Sequence, residues 1–184
     1  MNDIRVHGSI FFLLKKFVIN QLPANSWANI CGQQTPEVFS FSVTDNYPIE
    51  MLGHLLQNAS EITGLSRHIL MEQFGEYLVK DLFDLYADYV KPEWKTFEII
   101  LNTETVMHGA VRKLNSTANP PILNVSKVND KLLIVDYYSR RKMASLAVGI
   151  IRGIAAFYKE TDKLRIISMT DPDDERVQIR LEFQ

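Results

Sequence analysis

Apolar residues recur at helical spacing through the first two thirds of the chain and at strand spacing near its end. Ile10, Leu14 and Phe17 follow an i, i+4, i+7 pattern, which predicts an amphipathic helix from about residue 8 to 21, ended ahead of Pro23. Leu52, Leu55, Ala59 and Ile62 repeat the pattern after Pro48, where a first helical turn is expected, and Gly64 stands where a left-handed cap closes that helix. Met71, Phe74, Leu78, Leu82 and Leu85 form a third stripe between about residues 66 and 89. Pro92, Glu93 and Trp94 are expected to open a long helix reaching about residue 114, with Phe97, Leu101, Thr105, His108 and Val111 on one stripe.

The period then changes. Residues 122–128 and 131–137 are short β-branched and aliphatic runs separated by Asn129-Asp130, a hairpin signature. Val177, Ile179, Leu181 and Phe183 alternate with charged or polar residues, which predicts a half-buried strand, and residues 164–169 are its expected antiparallel neighbour across the polar 171–174 loop. Between the hairpins, residues 142–159 carry Met143, Leu146, Ala147, Ile150, Ile154 and Phe157 at helical spacing. The predicted class is α+β: a helical N-terminal lobe, then a C-terminal lobe with one four-stranded antiparallel sheet and packed helices.

Composition narrows the functional classes. With 184 residues, 46% of them hydrophobic and 23% charged, the chain is expected to form one compact unit in two lobes. Twenty basic against twenty-two acidic residues leave a net charge of -2, so neither nucleic acid nor an anionic membrane is an expected partner. The start lacks the basic and long apolar regions of a secretory signal, and the apolar stretch at residues 10–19 is short and broken by Lys15-Lys16. A cytoplasmic location is the expectation. Cys31 is the only cysteine, which excludes an internal disulfide and a multi-thiolate zinc or iron-sulfur site, and such a residue is expected to be buried and inert. His7, His54 and His68 sit in no motif and are expected on the surface or within helices.

Candidate chemistry collects between residues 108 and 141. His108 taken alone suits a core histidine satisfied by a carbonyl as well as a metal ligand. Its neighbour Gly109 costs a helix about 1 kcal/mol relative to alanine, and close approach of a flat group beside the histidine accounts for that cost. Pro120-Pro121 separates helix from strand and presents a rigid ring that cannot yield to a packed neighbour. Tyr137, Ser139 and Arg141 occupy i, i+2 and i+4 of an extended segment, so their hydroxyls and guanidinium point to one side, toward an anion, while Tyr138 and Arg140 face elsewhere. From the residues alone, that anion is equally a phosphate, a substrate carboxylate held for a His108 general base, or a cofactor carboxylate. A haem-free interaction module is the further alternative. No nucleophile elbow, phosphate loop or metal cluster supports the enzymatic reading.

The order and spacing of His108, Pro120-Pro121 and Tyr137-x-Ser139-x-Arg141, all within 34 positions, resemble the haem-nitric oxide/oxygen binding (H-NOX) family, bacterial relatives of the soluble guanylate cyclase sensor domain. The resemblance covers nearly the whole chain. It implies a single sensor domain over residues 1–184, with a distal helical lobe at about 1–65 and a haem-ligating lobe with the sheet at about 66–184. It further implies haem b (iron protoporphyrin IX) ligated by His108 and distorted by Pro121, with propionates held by Tyr137, Ser139 and Arg141. The family pattern places Ile10, Leu14, Leu78, Leu146 and Ile150 around the gas-binding side, and the distal tyrosine of oxygen-binding members falls here on Leu146.

An aliphatic pocket offers no hydrogen bond to bound dioxygen, so the resemblance implies a sensor for nitric oxide and carbon monoxide without catalytic activity. Nitric oxide binding is then expected to weaken the iron–His108 bond, relax the haem against Pro121 and rotate one lobe against the other. The implied output is a signal to a partner protein, a histidine kinase or a cyclic-di-GMP enzyme. The cysteine-rich zinc site of some nitric oxide-sensing members has no counterpart here.

Overall fold

The computed structural model describes residues 4–32, 40–114 and 118–184. In chain order it contains β1 (Arg5–His7), α1 (Gly8–Gln21), α2 (Ser26–Cys31), β2 (Asn46–Pro48), α3 (Ile49–Thr63), α4 (Arg67–Tyr86), α5 (Thr96–Asn102), α6 (Gly109–Leu114), β3 (Ile122–Asn129), β4 (Leu132–Tyr138), α7 (Ala144–Phe157), β5 (Leu164–Ser168) and β6 (Arg176–Phe183). The large sheet is antiparallel with strand order β3-β4-β6-β5. Strict alternation turns Leu133, Val135, Tyr137, Val177, Ile179 and Leu181 inward, and each fully buried aliphatic side chain contributes about 1.5–3 kcal/mol. No helix among the described residues is long and apolar enough to cross a membrane.

Two apolar cores share α4 and α7. The first gathers Phe11, Leu14 and Phe17 of α1, Ile30 of α2, Leu52 and Leu55 of α3, and Leu70, Phe74 and Leu78 of α4, with Met143 and Leu146. The second packs the inner face of the sheet on Val148, Ile151 and Ile154 of α7, with Val79, Trp94, Ile99 and Ile100. Ile150 touches both. Glycines let the two shared helices cross backbone to backbone: a Cβ on Gly149 would strike the Glu72 carbonyl, and one on Gly75 would lie 2.8 Å from the Ile150 nitrogen. His68 adds a polar tie, its Nδ1 lying 3.0 Å from Ser145 Oγ and its Nε2 3.5 Å from Asp173.

The expected helices appear, α1 over the residues expected and α4 and α7 with shorter ends. Ser66 caps α4 by accepting the Ile69 N–H, Gly64 closes α3 at φ 72°, and Pro48 lies just before α3, not inside its first turn. Leu82 reaches the first core and Phe83 the second, leaving Leu85 beyond both and 67% exposed. Ile62 and Phe157 are exposed as well, Phe157 stacking on Phe83 at 4.4 Å. The long helix expected from residue 92 begins only at Thr96, where Glu98 folds back to accept the Lys95 N–H at 3.2 Å. The first hairpin turns at Asp130-Lys131, one residue later than expected, because the Asn129 side chain accepts the Lys131 N–H at 2.8 Å. The β1–β2 pair and α2 escape the sequence pattern, since three-residue strands are too short to show a period.

Candidate functional site

The helical path to His108 is not α-helical throughout. Residues Thr103–His108 form wider π-type turns between α5 and α6, and the local sequence explains why. Asn102 Nδ2 donates to the Glu98 carbonyl at 2.8 Å, and Thr103 Oγ1 to that of Ile99 at 2.8 Å. These side chains compete for carbonyls that regular α-turns would use. The extra residue rotates the stripe, so that Thr105 faces solvent and Val106 packs on the second core in its place. Wider turns of this kind often mark functional positions.

His108 itself is 16% exposed. Its Nδ1 lies 3.0 Å from Glu104 Oε2, and the Pro121 carbonyl is also within hydrogen-bonding reach of the ring. Glu104 additionally accepts the Leu123 N–H at 3.0 Å and Arg112 at 2.7 Å. Burial pushes the Glu104 carboxyl up, but the hydrogen bonds from Leu123, His108 and Arg112 together outweigh it and hold the group below its ordinary value. Burial likewise pushes His108 down against the pull of Glu104. An ionised carboxylate only accepts, so a neutral His108 facing it carries its proton on Nδ1 and keeps the lone pair on Nε2.

The hydroxyl and guanidinium cluster assembles differently from the expectation of one extended segment. β4 ends at Tyr138, and Ser139 begins a turn closed by the Lys142 N–H on the Ser139 carbonyl at 3.1 Å. The turn, not strand alternation, brings the three side chains together: the Ser139 hydroxyl accepts the Arg141 N–H at 3.2 Å and also bonds the Tyr137 hydroxyl. Burial raises the Tyr137 phenol, partly opposed by its bonds with Ser139 and the Met143 backbone and by the Arg141 charge. Burial lowers Arg141, which remains a cation. Its guanidinium donates to the Asn119 carbonyl and, at 3.4 Å, to that of Arg5. Arg140 is exposed.

These contacts close a loop. Leu123, bonded to Glu104, is the cross-strand partner of Tyr137, and Arg141 returns the chain to Asn119, next to Pro120-Pro121 and the carbonyl facing His108. Leu14, Leu78 and Leu146 are buried in the first core, with Ile10 and Ile150 packed against it. Tyr77, adjacent to Leu78, spends its hydroxyl accepting a 2.7 Å bond from Asn20 on the exposed side. Cys31 is buried, and burial raises its thiol. His7 caps α1.

The haem-NO-binding family model matches residues 7–166. The chain belongs to the H-NOX family. The fold of this H-NOX chain is that of solved relatives. An H-NOX protein from S. oneidensis in the Fe(II)NO ligation state is 20% identical with a TM-score of 0.86, covering 97% of this chain and 99% of that one. The Fe(II) unliganded H-NOX protein from K. algicida is 20% identical with a TM-score of 0.84, covering 97% of each chain. No curated protein matches the chain in a sequence search.

The residues present fit a haem. Among the described residues a Cβ on Gly109 would meet nothing nearer than the Glu104 carbonyl at 3.9 Å, so no packing among them explains this glycine beside His108, whereas a flat group stacked there does. The donor set is one imidazole rather than a cluster: among the described residues no group of three or more His, Cys, Asp or Glu is placed to hold a metal. Glu104 and Asn119 join the site without having been expected from the sequence. Glu104 had a signal, a carboxylate four residues before the histidine on one helix. Asn119 had none, since only its backbone carbonyl takes part.

Proposed function

We propose that this H-NOX domain is a haem-based sensor of nitric oxide that also takes carbon monoxide, with His108 as the sole protein ligand of a haem b. The observation that carries the proposal is the closed set of contacts joining His108, Glu104, Leu123, Tyr137, Arg141 and the 119–121 segment. It gathers an oriented imidazole, a rigid proline and a cationic hydroxyl-lined cluster, each suited to a different part of a haem. When bound, the haem supplies a ferrous iron able to take a diatomic gas.

His108 would offer its Nε2 lone pair, Pro121 a rigid ring against the macrocycle, and Arg141 with Tyr137 and Ser139 the donors for two carboxylates. Ile10, Leu14, Leu78, Leu146 and Ile150 would line the gas side and exclude water without offering a hydrogen-bond donor. Displacement of His108 would pass through Glu104 to Leu123 on β3 and Arg112 on α6. A distal lobe at about residues 1–65 and a haem-ligating lobe at about 66–184 belong to the same reading, as do a cytoplasmic location and output to a histidine kinase or cyclic-di-GMP enzyme.

The test is the absorption spectrum of the purified, haem-supplied and reduced protein under argon, nitric oxide and carbon monoxide. A strong Soret band that moves with each gas is expected, and His108→Gly is expected to retain haem only with added imidazole. Persistent colourlessness, or an unchanged iron–histidine vibration in His108→Gly, overturns the proposal.

A further inference from the structure

We infer that Glu104 is the positioning residue of the iron ligand, setting both the rotation and the donor strength of His108 and tying it to the edge strand β3; the inference rests on His108 ligation. Three donors converge on this one carboxylate. Oε2 faces His108 Nδ1 at 3.0 Å and the Leu123 N–H at 3.0 Å, while Oε1 takes Arg112 at 2.7 Å. The π-type turns put Glu104 and His108 on one side of the same short segment, and the bond to Leu123 locks that segment to the start of β3.

A hydrogen bond from the far ring nitrogen to a carboxylate fixes the tautomer and orientation of a metal-bound imidazole and raises its basicity. A stronger donor favours the ferric over the ferrous state and stiffens the iron–histidine bond. The 25%-exposed carboxylate does not give its whole charge to His108, because Arg112, itself 40% exposed, neutralises part of it. Arg112 is therefore an attenuator: the balance between Arg112 and His108 on Glu104 sets how readily the iron–histidine bond yields. The neutral alternative is the Pro121 carbonyl, which also faces the ring but carries no full charge to lend.

The experiment compares haem-loaded wild-type, Glu104→Gln and Arg112→Gln proteins by the resonance Raman iron–histidine stretch of the ferrous form and by midpoint potential. Glu104→Gln keeps a hydrogen-bond acceptor but loses the charge, so the stretch is expected to fall and the potential to rise. Haem affinity falls about 10- to 100-fold, as for other outer-shell partners. Arg112→Gln unmasks the carboxylate and is expected to move both readouts the opposite way. Opposite signs cannot come from general loosening of the site. Shifts of the same sign in both variants, or none in either, overturn the inference and leave the Pro121 carbonyl as the partner of His108. If Glu104→Gln fails to fold, the sign of the Arg112→Gln shift decides alone. Absence of an iron–histidine band from the wild type would instead refute His108 ligation itself, so the two failures are distinct.

Discussion

Gly149→Ala is expected to destabilise the protein even though alanine is the better helix former. A methyl at this position runs into the Glu72 carbonyl oxygen, with the Glu72 carbonyl carbon 2.7 Å and Cα 2.8 Å away. All three obstacles are backbone, so no rotamer change relieves them and α4 must move off α7. Overpacking of this kind costs about 1–3 kcal/mol, with the upper end appropriate where main chain meets main chain. Replacing a helical glycine returns about 1 kcal/mol. The net loss is about 1–2 kcal/mol, and at about 2–4 °C per kcal/mol for a domain of this size the melting temperature falls by about 2–8 °C. Gly53 on α3 is the matched control, because a Cβ there meets nothing within 4 Å among the described residues. Gly53→Ala is expected to gain about 0.5–1 kcal/mol. Thermal unfolding of both variants, followed by circular dichroism without haem, measures the two effects directly. A Gly149→Ala protein that melts at or above the parent would refute the close crossing of α4 and α7. Because Leu78 and Leu146 flank that crossing, carbon monoxide binding rates of the loaded variant are expected to change as well.

The remaining predictions concern the cofactor site. Gly109→Ala is expected to stabilise the haem-free protein by about 0.5–1 kcal/mol, since among the described residues only the Glu104 carbonyl at 3.9 Å is near, while speeding haem loss; unchanged retention would remove the case for a flat group beside Gly109. Arg141→Ala is expected to weaken haem retention by about 1.5–3 kcal/mol, Tyr137→Phe less, and exposed Arg140→Ala hardly at all, read from haem transfer to an acceptor globin. A larger effect at Arg140 than at Arg141 would dismantle the carboxylate clamp. In air, the reduced protein is expected to form no stable oxygen complex, because Leu78 and Leu146 offer no proton and Tyr77 is bonded to Asn20 on the outside. Leu146→Tyr is expected to improve oxygen binding, and a long-lived ferrous-oxy spectrum in the parent would refute the apolar-pocket argument.

Helices α1, α3, α4 and α7 and both hairpins of the large sheet were legible because each buries one face over several residues, and such burial imprints a period of 3.6 or 2 on the sequence. His108, Pro121, Tyr137, Ser139 and Arg141 were legible as residue types with a spacing. The mechanism of their convergence was not. Alternation along a strand explained Tyr137, Ser139 and Arg141 only until β4 ended at Tyr138, after which the Ser139–Lys142 turn took over. Whether an extended run continues or turns depends on the partner strand running out, and local sequence does not record the partner's length.

What the sequence determined by itself was therefore the set of amphipathic elements, the α+β class and the chemistry on offer near His108, since all of these follow from side-chain identity and short-range periodicity. Tertiary structure alone decided the rest. It brought the Leu123 N–H to Glu104, set the Pro121 carbonyl against the His108 ring and directed Arg141 at the Asn119 backbone carbonyl. It also let glycines on α4 and α7 meet without side chains between them. Each of these is a contact between segments distant in sequence or a choice among competing hydrogen-bond acceptors. Such choices depend on which groups packing brings within about 3 Å, a distance at which small rotations of a helix exchange one partner for another.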